Sequence, residues 1–310
     1  MQNTANADYH RTEERCRNLS RPHPLLSRLL APRGLADPEV LGRTVGGKVI
    51  LLTGASFGVG RALALQLGQA GAKLLLAART ADALEVVAGE INAAGGDARA
   101  LPLDLADTAA IDAFAAKLLA EGTAVDIVIH NAGKSIRRLV ADSLDRPHDF
   151  TRTIAVNYLG PVRLQLGLLP SMIAKRGGQI IAVSTVGVRL PPGPRWAAYI
   201  AAKSAFDVWL CSARPELAAH DITCTSIYFG LIHTRMSAPT EIYRDMPGMT
   251  ADEAASVVCR ALVKRPCRIE PWWVAPLRVL APWCEGAVDR WMRRRLEREE
   301  AARVPRDPTR

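Results

Sequence analysis

An open α/β fold, a parallel sheet with helices on both faces, is predicted by three features of this 310-residue sequence. From Lys48 onward, short leucine-rich or β-branched runs alternate with longer alanine-rich amphipathic stretches, the pattern of βαβ units. The runs are apolar enough for strands covered on both faces. A glycine-rich turn stands directly between the first run and the first long amphipathic stretch.

Taken in order, residues 1–44 form an N-terminal extension with scattered charge and prolines at 22, 24, 32 and 38, and with a short helix around Leu25–Leu30. Six strands are expected at Val49–Thr53, Lys73–Ala78, Ala98–Asp104, Val125–Asn131, Gln179–Ser184 and Ile222–Tyr228. They belong to one doubly wound domain over 45–264, which includes a loop at 230–250. Residues 265–310 differ: Trp272, Trp273, Trp283 and Trp291 stand among prolines, and a charged tail follows. From Lys264 to the end there are 12 basic and 7 acidic residues, a net of +5. This C-terminal extension is expected to be partly helical. No shorter internal repeat is visible.

Hydrophobic residues make up 49% and charged residues 23%, which excludes a disordered or fibrous chain. The net charge of +9 is carried mostly by arginine, without a basic run interleaved with aromatics. Nucleic-acid binding is therefore not expected; the excess suits an enzyme whose substrates carry phosphates. Cys16, Cys211, Cys224, Cys259, Cys267 and Cys284 form no C-x-x-C pair, so neither a disulfide framework nor a zinc site is suggested. A reduced, cytoplasmic setting follows as the expectation. Asp8, Glu13 and Glu14 precede the first apolar cluster, unlike a secretory signal. No uncharged apolar stretch approaches the ~18 residues of a spanning helix. His130, His220 and His233 lack metal-ligand spacing, and no metal is expected.

The turn after the first strand reads T-G-A-S-F-G-V-G, Thr53 to Gly60. Gly54, Gly58 and Gly60 allow a tight turn, close backbone approach to a pyrophosphate, and packing of the helix on the strand. The helix N-terminus then offers amides and positive dipole to phosphates. A glycine triplet alone is a weak signal; strand, loop and helix in order strengthen it. The second strand ends Ala77-Ala78-Arg79-Thr80, without the carboxylate that would accept from a ribose 2′-hydroxyl. A guanidinium there grips a 2′-phosphate, so Arg79 points to NADP(H).

Tyr199 and Lys203 stand four residues apart, one turn of one helix face. A phenol of pKa about 10 is a poor acid–base at neutral pH unless its anion is stabilised, which a nearby ammonium would do. No His-Asp-Ser or Cys-His arrangement competes.

With its G-x-x-x-G-x-G spacing, Asn131-Ala132-Gly133, Asn157 and Tyr199-x-x-x-Lys203, the chain resembles the short-chain dehydrogenase/reductase family over about 48–235. The resemblance implies a Rossmann-type fold, a homo-oligomer and a Tyr/Lys site. Ser56, Phe57 and Val59 would join the glycines around the cofactor, Asp104 and Leu105 would line its adenine pocket, and Asn131, Ala132 and Gly133 would floor the ribose and nicotinamide. Ile232 and Thr234 would complete the cofactor site. Lys203 would hold the nicotinamide ribose, with Asn157 supporting it through a water. The family's substrate-holding serine falls on Thr185 of the Ser184-Thr185 pair. A threonine hydroxyl has the same donor and acceptor capacity, with a methyl that crowds the pocket. The loop from Thr185 to Tyr199 looks one residue long, so Ser184 could take the role instead.

Two segment groups are similar to bacterial NADPH-dependent fatty acyl-CoA reductases of this fold. One is N-A-G-K-S-I-R-R (131–138) with D-R-P-H-D-F (145–150) and V-N-Y-L-G (156–160). The other is T-R-M-S-A-P-T-E-I-Y (234–243) with A-D-E-A-A (251–255) and K-R-P (264–266). Gly230 departs from the usual proline. The likeness implies reduction of a medium- or long-chain acyl-CoA to the aldehyde. A general ketone reductase or alcohol dehydrogenase would use the same residues, and a non-catalytic NADP-binding regulator is the third reading. Lys134, Arg137 and Arg138 suit coenzyme A phosphates or form a solvated loop. Leu231, Ile232, Met236, Ile242, Met246 and Met249 are candidates for an acyl tunnel or for core. The Trp-rich segment suits an interfacial membrane contact, a cap over a greasy channel, or a helix packed on the domain or a second subunit.

Overall fold

The computed structural model describes residues 23–35 and 37–301. Asp8, Glu13, Glu14, Cys16, Pro22 and the last nine residues of the charged tail lie outside the described residues.

Seven strands form one parallel sheet in the order β3-β2-β1-β4-β5-β6-β7. They are β1 (Val49–Thr53), β2 (Lys73–Ala78), β3 (Asp97–Pro102), β4 (Ile127–His130), β5 (Gly178–Thr185), β6 (Ile222–Phe229) and β7 (Arg268–Ile269). Six match expected runs to within two residues at each end. The order reverses between β1 and β4, which opens a crevice at the carboxyl ends of those strands.

The helices cover both faces because side chains alternate along each buried strand. Ile50 and Leu52 of β1 pack with Leu63, Leu84 and Val258, from α3 (Gly58–Gln69), α4 (Ala81–Ala93) and α9 (Ala251–Lys264). Leu51 and Val128 face the other way, onto Ile111, Leu164 and Leu210. Those belong to α5 (Thr108–Ala120), α7 (Gly160–Lys175) and α8 (Ala197–Ala218). Helix starts are fixed locally. The Asp107 carboxylate accepts from the Ala110 N–H ahead of α5, and Thr250 with Glu253 forms a capping box on α9.

The core does not stop at the expected extensions. Before the first strand come α1 (Pro24–Leu30) and α2 (Pro38–Val45), and Leu41 and Val45 of α2 are buried in the core. A helix was expected only around Leu25–Leu30, because α2 is two turns long and contains a glycine. Beyond Lys264, β7 pairs with β6 through Ser226–Arg268 and Ile227–Ile269, so the sheet reaches past that residue. Helix α6 (Pro147–Ile154) passes through a π-turn at Ala155–Leu159 into α7. The last helix, α10 (Val274–Ala301), is exposed from Ala275 to Leu280 and meets the body near its far end, where Glu299 pairs with Arg195. Among the described residues no helix is long and apolar enough to cross a membrane, and the five described cysteines are free thiols.

Candidate active site

The crevice between β1 and β4 is shaped by glycine. Gly54 has φ +68°, and a Cβ there would stand 2.8 Å from Ala132 Cα. A Cβ on Gly60 would lie 2.7 Å from Asn131 Nδ2. The loop therefore folds back on itself as no side chain would allow. Asn131 Nδ2 donates to the carbonyls of Thr53 and Gly54, both at 3.1 Å. Thr53 Oγ1 accepts from the N–H groups of Asn131 and Ala132. These bonds tie the expected floor residues to the glycine turn, with Gly58 next to the methyl of Thr234. Ser56 is buried, and the Arg235 guanidinium lies 4.7 Å from the centre of the Phe57 ring. Val59 and Ile232 are partly buried and pack against the core.

Of the residues expected toward the adenine, Arg79 is exposed where β2 ends. Asp104 accepts from Ala106 N–H in a local turn, and Leu105 is buried. The Lys134 ammonium is held below its ordinary pKa, first by burial and then by Arg152 and Arg79. The carboxylates of Asp149 and Asp104 act on it the other way, so the charge around Lys134 is mixed. Arg138 is committed elsewhere: it and Arg146 both donate to the buried Asp149 carboxylate at 3.1 Å. The guanidinium of Arg137 acts on Tyr243, whose hydroxyl burial raises and Arg137 pulls back.

Tyr199 and Lys203 project from α8, where it packs on the end of β5. Lys203 is 7% exposed and donates from Nζ to Val183 O at 3.0 Å. Burial draws its pKa down to about 8. The Asn157 carboxamide sits in the π-turn with both ends engaged: Oδ1 accepts from Lys134 N–H at 2.9 Å and Nδ2 donates to Lys134 O at 2.8 Å. Gly133 lies between the two, since a Cβ there would be 3.3 Å from Asn157 Oδ1 and 3.4 Å from Lys203 Nζ. The π-turn that holds Asn157 leaves no visible signature in the sequence.

The Tyr199 phenol departs from expectation. Burial, and then Tyr243, push it up to about 12, the opposite of the lowering expected from Lys203. The two members of the hydroxyl pair point to opposite sides of β5. Ser184 Oγ is sealed inside, with no hydrogen-bond partner among the described residues. Thr185 is only partly covered and accepts from Gly187 N–H at 3.3 Å.

Two aromatic residues that the sequence did not single out stand beside Tyr199. Trp196 lies 5.8 Å from it, ring centre to ring centre, and stacks on Tyr243 at 6.4 Å and 5°. Tyr243 belongs to the 230–250 loop, so the stack joins that loop to the segment before α8. Arg195 in the same segment has φ +75°; its side chain is 5% exposed and pairs with Glu299 of α10 at 3.0 Å. Its carbonyl accepts from Arg138 N–H.

Two of the three named histidines have partners within the fold. His130 is buried against Gln165 and the Phe206 edge and its pKa falls to about 4, while His233 reaches Met246 O. Met249 is buried, but Met236, Ile242 and Met246 are exposed.

Residues 48–244 match the short chain dehydrogenase family model. A fatty acyl-CoA reductase of Acinetobacter baylyi (strain ATCC 33305 / BD413 / ADP1) is 48% identical over 225 residues, 73% of this chain and 76% of that protein. A fatty acyl-CoA reductase of Mycobacterium tuberculosis (strain ATCC 25618 / H37Rv) is 41% identical over 248 residues, 80% and 83% of the two chains. Among solved structures, a metagenomic short-chain oxidoreductase in complex with NADP superposes with a TM-score of 0.62 at 32% identity, covering 71% of this chain and 92% of that one. A short-chain dehydrogenase from Streptomyces avermitilis gives 0.65 at 26% identity, covering 84% and 98%.

Proposed function

The chain belongs to the short-chain dehydrogenase family, and from that premise we propose that it uses NADPH to reduce a medium- or long-chain fatty acyl-CoA thioester to the aldehyde. The observation that carries this reading is the 48% identity to a fatty acyl-CoA reductase over 225 residues. The apolar side chains of the 230–250 loop support it.

The crevice fits a dinucleotide. Its glycine cradle is too close to backbone for any side chain, which leaves amides open to a pyrophosphate. Arg79 with no acid beside it fits a 2′-phosphate, and Lys134 adds charge at the same end. Asn131, Ala132 and Gly133 floor the site, while Thr234 and Ile232 close it from the far side. Bound NADPH supplies the hydride.

The chain's own residues handle the oxygen and the proton. A phenol with its pKa near 12 keeps its proton at neutral pH, which is the form a donor needs. Tyr199 and Thr185 Oγ1 donate to the thioester oxygen as negative charge develops on it. Ser184 is sealed from any substrate, which favours Thr185 for this role. Tyr199 then gives its proton to that oxygen, and the hemithioacetal collapses to aldehyde and coenzyme A thiol. Lys203, still mostly protonated at pH 7, holds the ribose. Asn157 acts by fixing the Lys134 backbone and so the Gly133 turn beside Lys203.

The same residues would reduce a ketone, so the leaving group decides. Thiol release coupled to NADPH oxidation with a long acyl-CoA is the expected result. Rapid reduction of ketones or aldehydes with no thiol released would replace this reading with a general carbonyl reductase. Exposed Leu166 of α7 and Val208 of α8 support a homo-oligomer, with mass in solution as the test.

A further inference from the structure

Two segments far apart in sequence carry strongly exposed apolar side chains. Leu25 and Leu29 of α1 are 82% and 62% exposed. Trp272, Val279, Leu280 and Trp283, at the start of α10 and just before it, are exposed by 56–88%. Such a surface costs free energy in water unless something covers it. Specific bonds hold the two segments together. The Trp272 indole donates to Leu29 O and the Trp273 indole to Leu30 O, each at 2.9 Å. The assembly also reaches the loop beside Tyr199. Ser27 of α1 is 2% exposed and accepts from Gly248 N–H at 3.1 Å. That loop carries exposed Met236, Ile242 and Met246 of its own.

Charge narrows the choice of what covers it. Residues 23–35 and 271–284 contain Arg28, Arg33 and Arg278 and not one Asp or Glu. The rest of α10, from Glu285 on, carries five arginines and five acids and is neutral, so the positive charge of the surface rests on Arg28, Arg33 and Arg278. Tryptophans and leucines among three arginines, in two stretches without an acid, suit the interface of an anionic bilayer, where indoles sit at headgroup depth and guanidiniums meet phosphates. A protein partner of ordinary composition would gain nothing from the missing acids.

We infer that the joined α1–α10 surface docks this protein on an anionic lipid bilayer, with the 230–250 loop beside the contact. The inference deepens the acyl-thioester reading and rests on it only for purpose: the aldehyde product of a long acyl chain belongs in a membrane, and this arrangement releases it there.

The test is co-sedimentation of the full chain with sucrose-loaded vesicles, without substrate. Phosphatidylglycerol/phosphatidylethanolamine vesicles are expected to pellet the protein, pure phosphatidylcholine to pellet far less, and added salt to weaken binding. The double variant Leu280→Ser/Trp283→Ser should bind on the order of tenfold more weakly or worse. Leu144→Ser, which removes a leucine more exposed than Leu280 elsewhere (84% against 56%), should bind like the wild type. Turnover of butyryl-CoA, which needs no membrane, should be the same in the double variant and the wild type. That keeps failure of docking apart from failure of the enzymatic reading. Wild-type protein that pellets with neither vesicle overturns the inference. So does a dimer that the double variant breaks while no vesicle is bound, since a second copy is then the cover.

Discussion

Replacing Gly54 by alanine tests whether the crevice needs the turn it contains. At φ +68° a non-glycine residue pays about 1–2 kcal/mol of backbone strain. The new Cβ would also stand 2.8 Å from Ala132 Cα and 2.9 Å from Ala132 N, and both are backbone atoms that cannot rotate away. Relief requires β1 and β4 to part at their carboxyl ends. That stretches the two hydrogen bonds from Asn131 Nδ2 to Thr53 O and Gly54 O, each contributing about 1 kcal/mol. The expected loss is about 3 kcal/mol of folding stability, read as a lower urea midpoint at unchanged slope, together with a large loss of NADPH affinity by fluorescence titration. Gly89→Ala is the control. Gly89 lies inside α4 with nothing within 4 Å of its Cβ position, so alanine there should stabilise by up to about 1 kcal/mol and leave binding alone. A Gly54→Ala protein that unfolds and binds NADPH like the wild type would refute the account of the turn.

Arg79→Ala should cost about tenfold in NADPH affinity and little in NADH affinity, because an exposed guanidinium holds a phosphate through a partly screened contact; an unchanged preference would move the phosphate to Lys134 or Arg152. Tyr199→Phe should lower turnover by about 10²–10⁴-fold with NADPH binding near normal, and substantial residual turnover would dismiss the phenol as proton donor. Thr185→Val should damage turnover more than Ser184→Ala, and the reverse order would reassign the hydroxyl. Burial stabilises the neutral form of Lys203, so its charge is present below a pH of about 8 and lost above it. Affinity for NADPH should accordingly fall as pH rises through about 8, and a flat titration to pH 10 would show that the ammonium does not hold the cofactor.

Much of the fold was legible because the central strands are unbroken apolar runs and the helices between them carry alanine and leucine at helical spacing. Strand β7 was not: two residues, one of them arginine, have no period, and only the neighbouring β6 makes them a strand. The glycine turn and the Tyr199–Lys203 pair could be read because their chemistry depends on local spacing. The surroundings of Tyr199 could not. Tyr243 reaches it from another loop and Trp196 by a ring contact, and no local pattern encodes either meeting. Strand alternation does imply that Ser184 and Thr185 face opposite ways, but which side is open depends on where α8 packs.

The Arg195–Glu299 pair gives α10 a say in what happens four residues before the Tyr199 phenol. Trimming this protein behind β7, a common step when a charged tail hampers handling, removes the countercharge of a guanidinium that is almost fully enclosed. The segment that carries it already sits in a left-handed turn, and the uncompensated charge gives it reason to swing toward water. A shortened protein can therefore keep every residue of the crevice and still present Tyr199 from a different loop. Comparisons of substrate range between full-length and trimmed preparations then measure that loop as much as the enzyme's own preference.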